Sequence, residues 1–91
     1  MAEELYSAIL KLKTKTEVAN FLRDLLTLPE ITEFSKRFQI AKSLYLKQGS
    51  YATIAKRLGV STTTVTRVAH WLHHGKGGYQ LVLKRLNPTQ S

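Results

Sequence analysis

The chain has 91 residues, no cysteine, and 14 Lys and Arg against six Asp and Glu, which give a net charge of +8. This length fits one domain, and the missing cysteine excludes disulfides, thiolate zinc sites and a cysteine nucleophile. No apolar run approaches the ~20 residues of a membrane span, and the acidic N-terminus lacks the apolar region of a secretory signal. We therefore expect a soluble, cytoplasmic protein that does not associate with membranes.

The charges are distributed unevenly along the chain. All six acidic residues precede Phe34, whereas residues 34–91 hold ten basic residues and no acid. Such a segment attracts polyanions at long range and places no like charge against a bound phosphate. An anionic membrane fits less well, because the basic residues are spread over turns and short helices instead of one long amphipathic face. Nucleic acid is therefore the first partner to expect.

The first half of the chain predicts three helices. Two apolar stripes with spacings of three and four precede Pro29, at Leu5, Ala8, Ile9 and Leu12 and then at Val18, Phe21, Leu22, Leu25 and Leu26. Pro29 suits the first turn of a third helix, predicted over about 29–48 and ended by Gly49. This helix carries two apolar faces, one more than a surface helix needs.

The second half predicts three shorter helices. Ser50 and Ser61 can cap helices over about 51–58 and 62–74, which would end at Gly59 and Gly75. A final helix over about 79–86 would close at Asn87. The sequence thus predicts a single all-α domain over 1–91 with about six short helices, several of which need tertiary packing to persist.

The segment 51–74 has the pattern of a helix-turn-helix. Ala55 supplies the small residue where two steeply crossing helices approach each other, Gly59 the left-handed turn, and Ser61 the cap of the second helix. The inward positions are apolar: Ile54, Leu58, Val60, Val65 and Val68. The alternative is a helical hairpin with no role in DNA binding.

In this motif the second helix enters the major groove and contacts bases through its first turns. The predicted base-reading residues are Ser61, Thr62, Thr63 and Thr66, and the predicted phosphate contacts are Ser50, Thr53, Lys56, Arg57 and Arg67. Threonine can donate or accept, and its methyl can contact thymine. Because long bidentate readers are few, we expect modest direct discrimination, with water bridges and DNA shape contributing.

Other chemistries have weaker support in the sequence. His70 and His74 lie one helical turn apart, with His73 between them, but no acid or cysteine follows Glu33 to complete a metal site. The glycine-rich loop 75–78 lacks P-loop spacing and a preceding strand, and no Ser–His–carboxylate arrangement is suggested. We expect no metal, no cofactor and no enzymatic activity.

From about Leu25 to Leu86 the sequence resembles the tryptophan-repressor superfamily, and more closely its YerC/YecD-type members. The resemblance is carried by Leu26-Thr27 with Pro29-Glu30, Lys36-Arg37-Phe38-Gln39-Ile40, Ala55-Lys56-Arg57-Leu58-Gly59 and Thr64-Val65-Thr66-Arg67. It implies an intertwined homodimer of six-helix subunits, with dimerisation helices over about 3–48 and 79–86. It would also explain the two-faced third helix, whose second face would pack on the partner chain.

The resemblance also implies that several residues of the family's tryptophan pocket are retained and that others are replaced. In tryptophan-binding members two arginines clamp the indole and a threonine helps to hold the carboxylate, and Arg37, Arg67, Thr64 and Thr27 stand at matching positions. Val68, however, replaces a glycine of the pocket floor, and Trp71 replaces a serine near the ligand amine. We therefore expect no tryptophan corepressor. For Arg37 and Arg67, phosphate or intersubunit contacts remain open as the alternative.

These features together predict a homodimeric helix-turn-helix transcription regulator, a repressor that acts by occupying a two-fold DNA operator. One alternative is a non-specific or architectural nucleic-acid-binding protein with the same fold and no preferred operator. Another is a protein–protein adaptor that uses the helix-turn-helix as a docking surface, which predicts no salt-dependent DNA binding.

Overall fold

A computed structural model describes residues 1–90 and contains six α-helices, a short 3₁₀ helix and, within those residues, no strand. The helices are α1 (Ala2–Leu10), α2 (Lys15–Leu25), α3 (Leu28–Tyr45), α4 (Tyr51–Leu58), α5 (Thr62–His74) and α6 (Gly78–Leu86), followed by the 3₁₀ turn Pro88–Gln90. The predicted all-α class and the number of helices are confirmed. The last residue of the predicted domain, residue 91, lies outside the described part.

The chain divides into two compact units, Met1–Glu33 and the residues from Phe34 onward. The boundary falls within α3 and coincides with the change in composition, because all six acidic residues belong to the first unit. The single-domain organisation inferred from the sequence stays a prediction.

The first unit is organised by local capping. Thr14 accepts a hydrogen bond from the Glu17 N–H at 3.1 Å, and the Glu17 carboxylate accepts one from the Lys13 N–H at 2.8 Å. This pair of bonds resembles a capping box, in which the Thr14 side chain satisfies one free amide at the start of α2 and the Glu17 carboxylate binds back to the chain just before the cap. Neither α1 nor α2 contains a buried residue. Their apolar stripes are therefore amphipathic faces that are at most partly buried in the single chain.

The second unit contains the hydrophobic core. The buried side chains that cluster in this core come from α3, α4, α5 and α6: Ile40 and Ala41, Ile54 and Ala55, Val65, Val68 and Leu72, and Leu83. Phe38, Leu44, Tyr45, Leu58, Val60 and Tyr79 pack around them, partly buried. The short helices α4, α5 and α6 each contribute apolar side chains to this core, as expected of helices that depend on tertiary packing.

The end of α3 differs from the prediction. The helix stops at Tyr45 and not near Gln48, and the residue in the left-handed conformation is Lys47, with φ 55°. The Gln48 N–H donates to the Ser43 carbonyl at 2.8 Å, a bond typical of a helix that ends in a left-handed residue. A side chain in the left-handed region is disfavoured, so the residue types alone favour Gly49 as the residue that ends the helix.

Candidate nucleic-acid interface

The helix-turn-helix is formed by α4 and α5, which pack against each other in the second unit. Gly59 ends α4 in the left-handed conformation, with φ 67° and ψ 40°, and the Val60 N–H donates to the Ala55 carbonyl at 3.0 Å. Ala55 is only 4% exposed. The left-handed turn predicted at Gly59 is confirmed, and Ala55 is buried as its predicted role requires. The turn fixes the direction in which α5 leaves α4.

Both helices of the motif begin with the same polar device. The Ser50 hydroxyl accepts from the Thr53 N–H at 3.1 Å and donates to the Thr53 hydroxyl at 2.9 Å. Ser61 accepts from the Thr64 N–H at 3.1 Å, and the hydroxyls of Ser61 and Thr64 lie 3.0 Å apart. The predicted serine caps are therefore confirmed. The threonine three residues later in each helix completes the cap. This role was not predicted, although the repeated Ser-x-x-Thr spacing indicates it.

Capping decides which hydroxyls remain available at the start of α4. Phosphate oxygens only accept hydrogen bonds, and a hydroxyl has one proton to give. Ser50 gives its proton to Thr53, whereas the Thr53 hydroxyl accepts that bond and keeps its own proton. Of the two predicted phosphate contacts here, Thr53 is thus the one whose hydroxyl can donate without opening the cap.

The predicted base-reading threonines lie on the exposed side of α5. Thr62, Thr63 and Thr66 are all exposed, while Thr64 is partly buried behind its bond to Ser61. The hydroxyls of Thr62 and Thr63 have no hydrogen-bond partner within residues 1–90, whereas Thr66 donates to the Thr62 carbonyl at 2.9 Å. The start of α5 therefore presents short hydroxyl and methyl groups to solvent, which suit contacts to base edges.

The predicted phosphate-binding cations are not equivalent. Lys56 and Arg67 are exposed and have no hydrogen-bond or ion-pair partner in the described chain. Arg57 is also exposed at its surface, but its guanidinium donates to the Ser43 hydroxyl at 2.6 Å and to the Gln48 carbonyl at 3.3 Å. Arg57 thus ties α4 to the end of α3, a structural role that sequence spacing did not reveal. Its remaining N–H groups can still meet a phosphate.

The residues matched to a tryptophan pocket are distributed over both units. In the first unit the Thr27 hydroxyl donates to the Glu30 carboxylate at 3.0 Å, and the Thr27 and Glu30 N–H groups complete a capping box at the start of α3. The hydrogen bonds from the Thr27 backbone and side chain lower the pKa of Glu30, so this carboxylate is ionised at neutral pH. Thr27 has therefore already committed its only proton to an anion of the same chain.

The other pocket candidates belong to the second unit. Val68 is 4% exposed and forms part of the core, whereas Trp71 is 54% exposed, with its ring 5.9 Å from that of His70 in an edge-on contact. The Arg37 guanidinium lies 5.5 Å from the centre of the Phe34 ring. Val68 thus fills space with a branched side chain where the resemblance implies an open floor.

Three histidines, His70, His73 and His74, lie close together at the end of α5. The ring centres of His70 and His74 are 5.4 Å apart, and the ring centres of His73 and His74 are 6.4 Å apart. Within the described residues no group of three or more His, Cys, Asp or Glu side chains is arranged to hold a metal ion. In the same part of the chain no helix combines the length and apolarity required to cross a bilayer.

An all-helical fold with a helix-turn-helix, an acid-free second unit and a polar, exposed start of α5 defines a DNA-binding regulator fold. The family model described as "Trp repressor protein" matches residues 2–87. The chain therefore belongs to the Trp repressor protein family, which is a family of DNA-binding regulators and not of enzymes.

Relatives of known sequence or structure agree with this assignment. The chain is 33% identical over 90 residues to the uncharacterised protein YerC of Bacillus subtilis (strain 168), covering 98% of this chain and 85% of YerC. It is 42% identical to a TrpR-like protein of Eubacterium eligens whose crystal structure superposes with a TM-score of 0.85 over 92% of this chain and 86% of that one. A candidate Trp repressor of Staphylococcus aureus gives 40% identity and a TM-score of 0.86 over 94% and 85% of the two chains. The YerC-type, Trp-repressor-like character of the sequence is confirmed.

The bond between Arg57 and Ser43 generates a stability prediction. Ser43 is only 3% exposed, so Arg57→Ala removes the partner of a buried hydroxyl and should lower the free energy of unfolding by about 1–3 kcal/mol. Urea unfolding followed by circular dichroism, at a fixed protomer concentration, measures the change. Lys56→Ala is the matched control on the same helix and should change stability by less than about 0.5 kcal/mol.

A double-mutant cycle with Ser43→Ala isolates the contact. The effects of Arg57→Ala and Ser43→Ala should be non-additive by about 0.5–3 kcal/mol, because the two side chains share one interaction. Strictly additive effects would show that Arg57 does not stabilise the end of α3 through Ser43.

Proposed function

We propose that the chain is a homodimeric transcription regulator that binds a two-fold DNA operator through the major groove and represses by occupying it. The observation that carries this proposal is the exposed row of Thr62, Thr63 and Thr66 at the start of α5, in a unit with ten basic residues and no acid. Polar side chains in this position of a helix-turn-helix read base edges, and the net positive charge of this unit supplies attraction to phosphates.

Dimerisation is supported by the apolar side chains that one chain leaves exposed. In the first unit these include Leu5, Tyr6, Ile9, Leu10, Val18 and Leu25, and in α6 they include Leu81, Val82 and Leu86. Exposed apolar faces on helices at both ends of the sequence are a marker of an interface between proteins. A second copy of the chain is the occupant that the family and the predicted dimerisation helices favour, and a two-fold dimer matches a two-fold operator.

The proposed regulator does not use tryptophan as a corepressor. Thr27 donates its proton to the ionised Glu30 and has none left for a ligand carboxylate. Val68 occupies the core, and the bulk of Trp71 replaces a small polar side chain at the matched position. Operator binding is therefore independent of free tryptophan.

Selection from a random pool of duplex DNA tests the function. A sequence-specific dimer should enrich two related half-sites in inverted orientation, with centres about one helical turn apart. Retention of DNA without an enriched motif would support an architectural binder instead, and absence of salt-dependent retention would support an adaptor.

The phosphate role of Lys56 predicts a uniform loss of affinity. Lys56→Ala should weaken selected and random duplexes by the same factor, because a phosphate contact carries no sequence information. The slope of log K against log salt concentration should become shallower by about 0.9 per contact, nearly 2 for a dimer. Lys11→Ala, which removes one charge from the first unit, is the control and should leave the slope almost unchanged. A loss confined to the selected duplex would instead assign Lys56 to base reading.

Independence from tryptophan is checked by isothermal titration of the protein with L-tryptophan and by gel shifts on the selected duplex with and without the amino acid. We expect no stoichiometric heat in the micromolar range and the same dissociation constant for DNA in both conditions. Stoichiometric micromolar binding, or tighter operator binding with tryptophan present, would contradict the proposal.

A further inference from the structure

Thr66 differs from its exposed neighbours in the state of its hydroxyl. Its Oγ1 donates a hydrogen bond of 2.9 Å to the Thr62 carbonyl, four residues earlier in α5. A hydroxyl has one proton and two lone pairs, so the side chain of Thr66 keeps only acceptor capacity toward solvent. Thr62 and Thr63 make no side-chain hydrogen bond within residues 1–90 and keep both capacities.

This difference matters in the major groove, where the bases differ in what they present. Adenine N6 and cytosine N4 carry amino donors, whereas guanine O6 and N7 and thymine O4 are acceptors. An acceptor hydroxyl can meet an amino group with the bond to Thr62 intact. To donate to a carbonyl oxygen of a base, the Thr66 hydroxyl must rotate and lose its hydrogen bond to the Thr62 carbonyl. The net contribution of one such bond corresponds to about a 2- to 12-fold change in affinity.

From this asymmetry, and resting on the major-groove function proposed above, we propose that Thr66 selects bases by hydrogen-bond polarity. In each half-site the base that faces Thr66 is adenine or cytosine, whose exocyclic amino group donates to the Thr66 hydroxyl. Guanine or thymine at that position binds more weakly by the factor above. The Thr62 carbonyl is thus a positioning group, because it orients the hydroxyl without contacting the DNA.

The experiment compares the wild-type protein with Thr66→Val, which replaces the hydroxyl by a methyl group of similar shape. Each protein is put through random-pool selection and then titrated against operators that carry each of the four bases at every half-site position. Wild type should show one position at which adenine and cytosine are preferred about 2- to 12-fold over guanine and thymine. Thr66→Val should lose that preference and keep the preferences at other positions.

Two further variants and one base analogue make the assignment specific. Thr66→Ser keeps the hydroxyl and should keep the amino preference, while Thr63→Val removes a neighbouring exposed hydroxyl and should leave it unchanged. The base analogue is purine, which is adenine without its amino group. An operator with purine at this position should bind wild type more weakly than the operator with adenine, whereas Thr66→Val should bind the two operators equally well. Unchanged thermal unfolding of the variants shows that the differences arise at the interface.

The possible outcomes separate this inference from the proposed function. The polarity rule is wrong if the Thr66-dependent position of the enriched operator holds guanine or thymine, or if no position responds to Thr66→Val. In both cases the proposed function as a DNA-binding regulator is unaffected. A selection that enriches no motif with wild type overturns the proposed function and the rule with it.

Discussion

The close packing of α4 on α5 is the constraint on which the rest of the second unit depends. It requires a small, buried Ala55 at the contact and a left-handed Gly59 immediately after α4. Once both are in place, Ile54, Val65, Val68 and Leu72 face the same core, while Thr62, Thr63 and Thr66 of α5 are exposed. The apolar packing thus determines which threonines reach the surface.

The change from acidic to basic composition falls at the boundary between the two compact units. The acids end at Glu33, where the first compact unit ends, and every charged side chain beyond that point is basic. The side chains of Lys56 and Arg67 in the second unit are exposed and stay available for a polyanion. Arg57 shows that availability also depends on neutral partners, because a serine hydroxyl and a backbone carbonyl already bind its guanidinium.

Much of the fold could be predicted from the sequence, because its signals are local. Apolar spacing located the helices, and the serines and Gly59 located the ends of α4 and the start of α5. The end of α3 was missed because Lys47 adopts a conformation that residue type alone assigns to glycine. The candidate site was predictable as a set of exposed residues but not in its hydrogen bonding. The bond of Arg57 to Ser43 joins positions fourteen apart, and the proton given by Thr66 to Thr62 depends on a side-chain rotamer.

The left-handed backbone of Lys47 has a consequence for how the chain tolerates change. A lysine in this conformation is about 1–2 kcal/mol less favourable than in an ordinary helical one, a cost that glycine largely avoids. Replacing Lys47 by glycine would therefore stabilise the connection between α3 and α4. The same substitution would also remove an exposed cation from a unit whose charged side chains are all basic. Position 47 therefore affects both the stability of the fold and the attraction to polyanions.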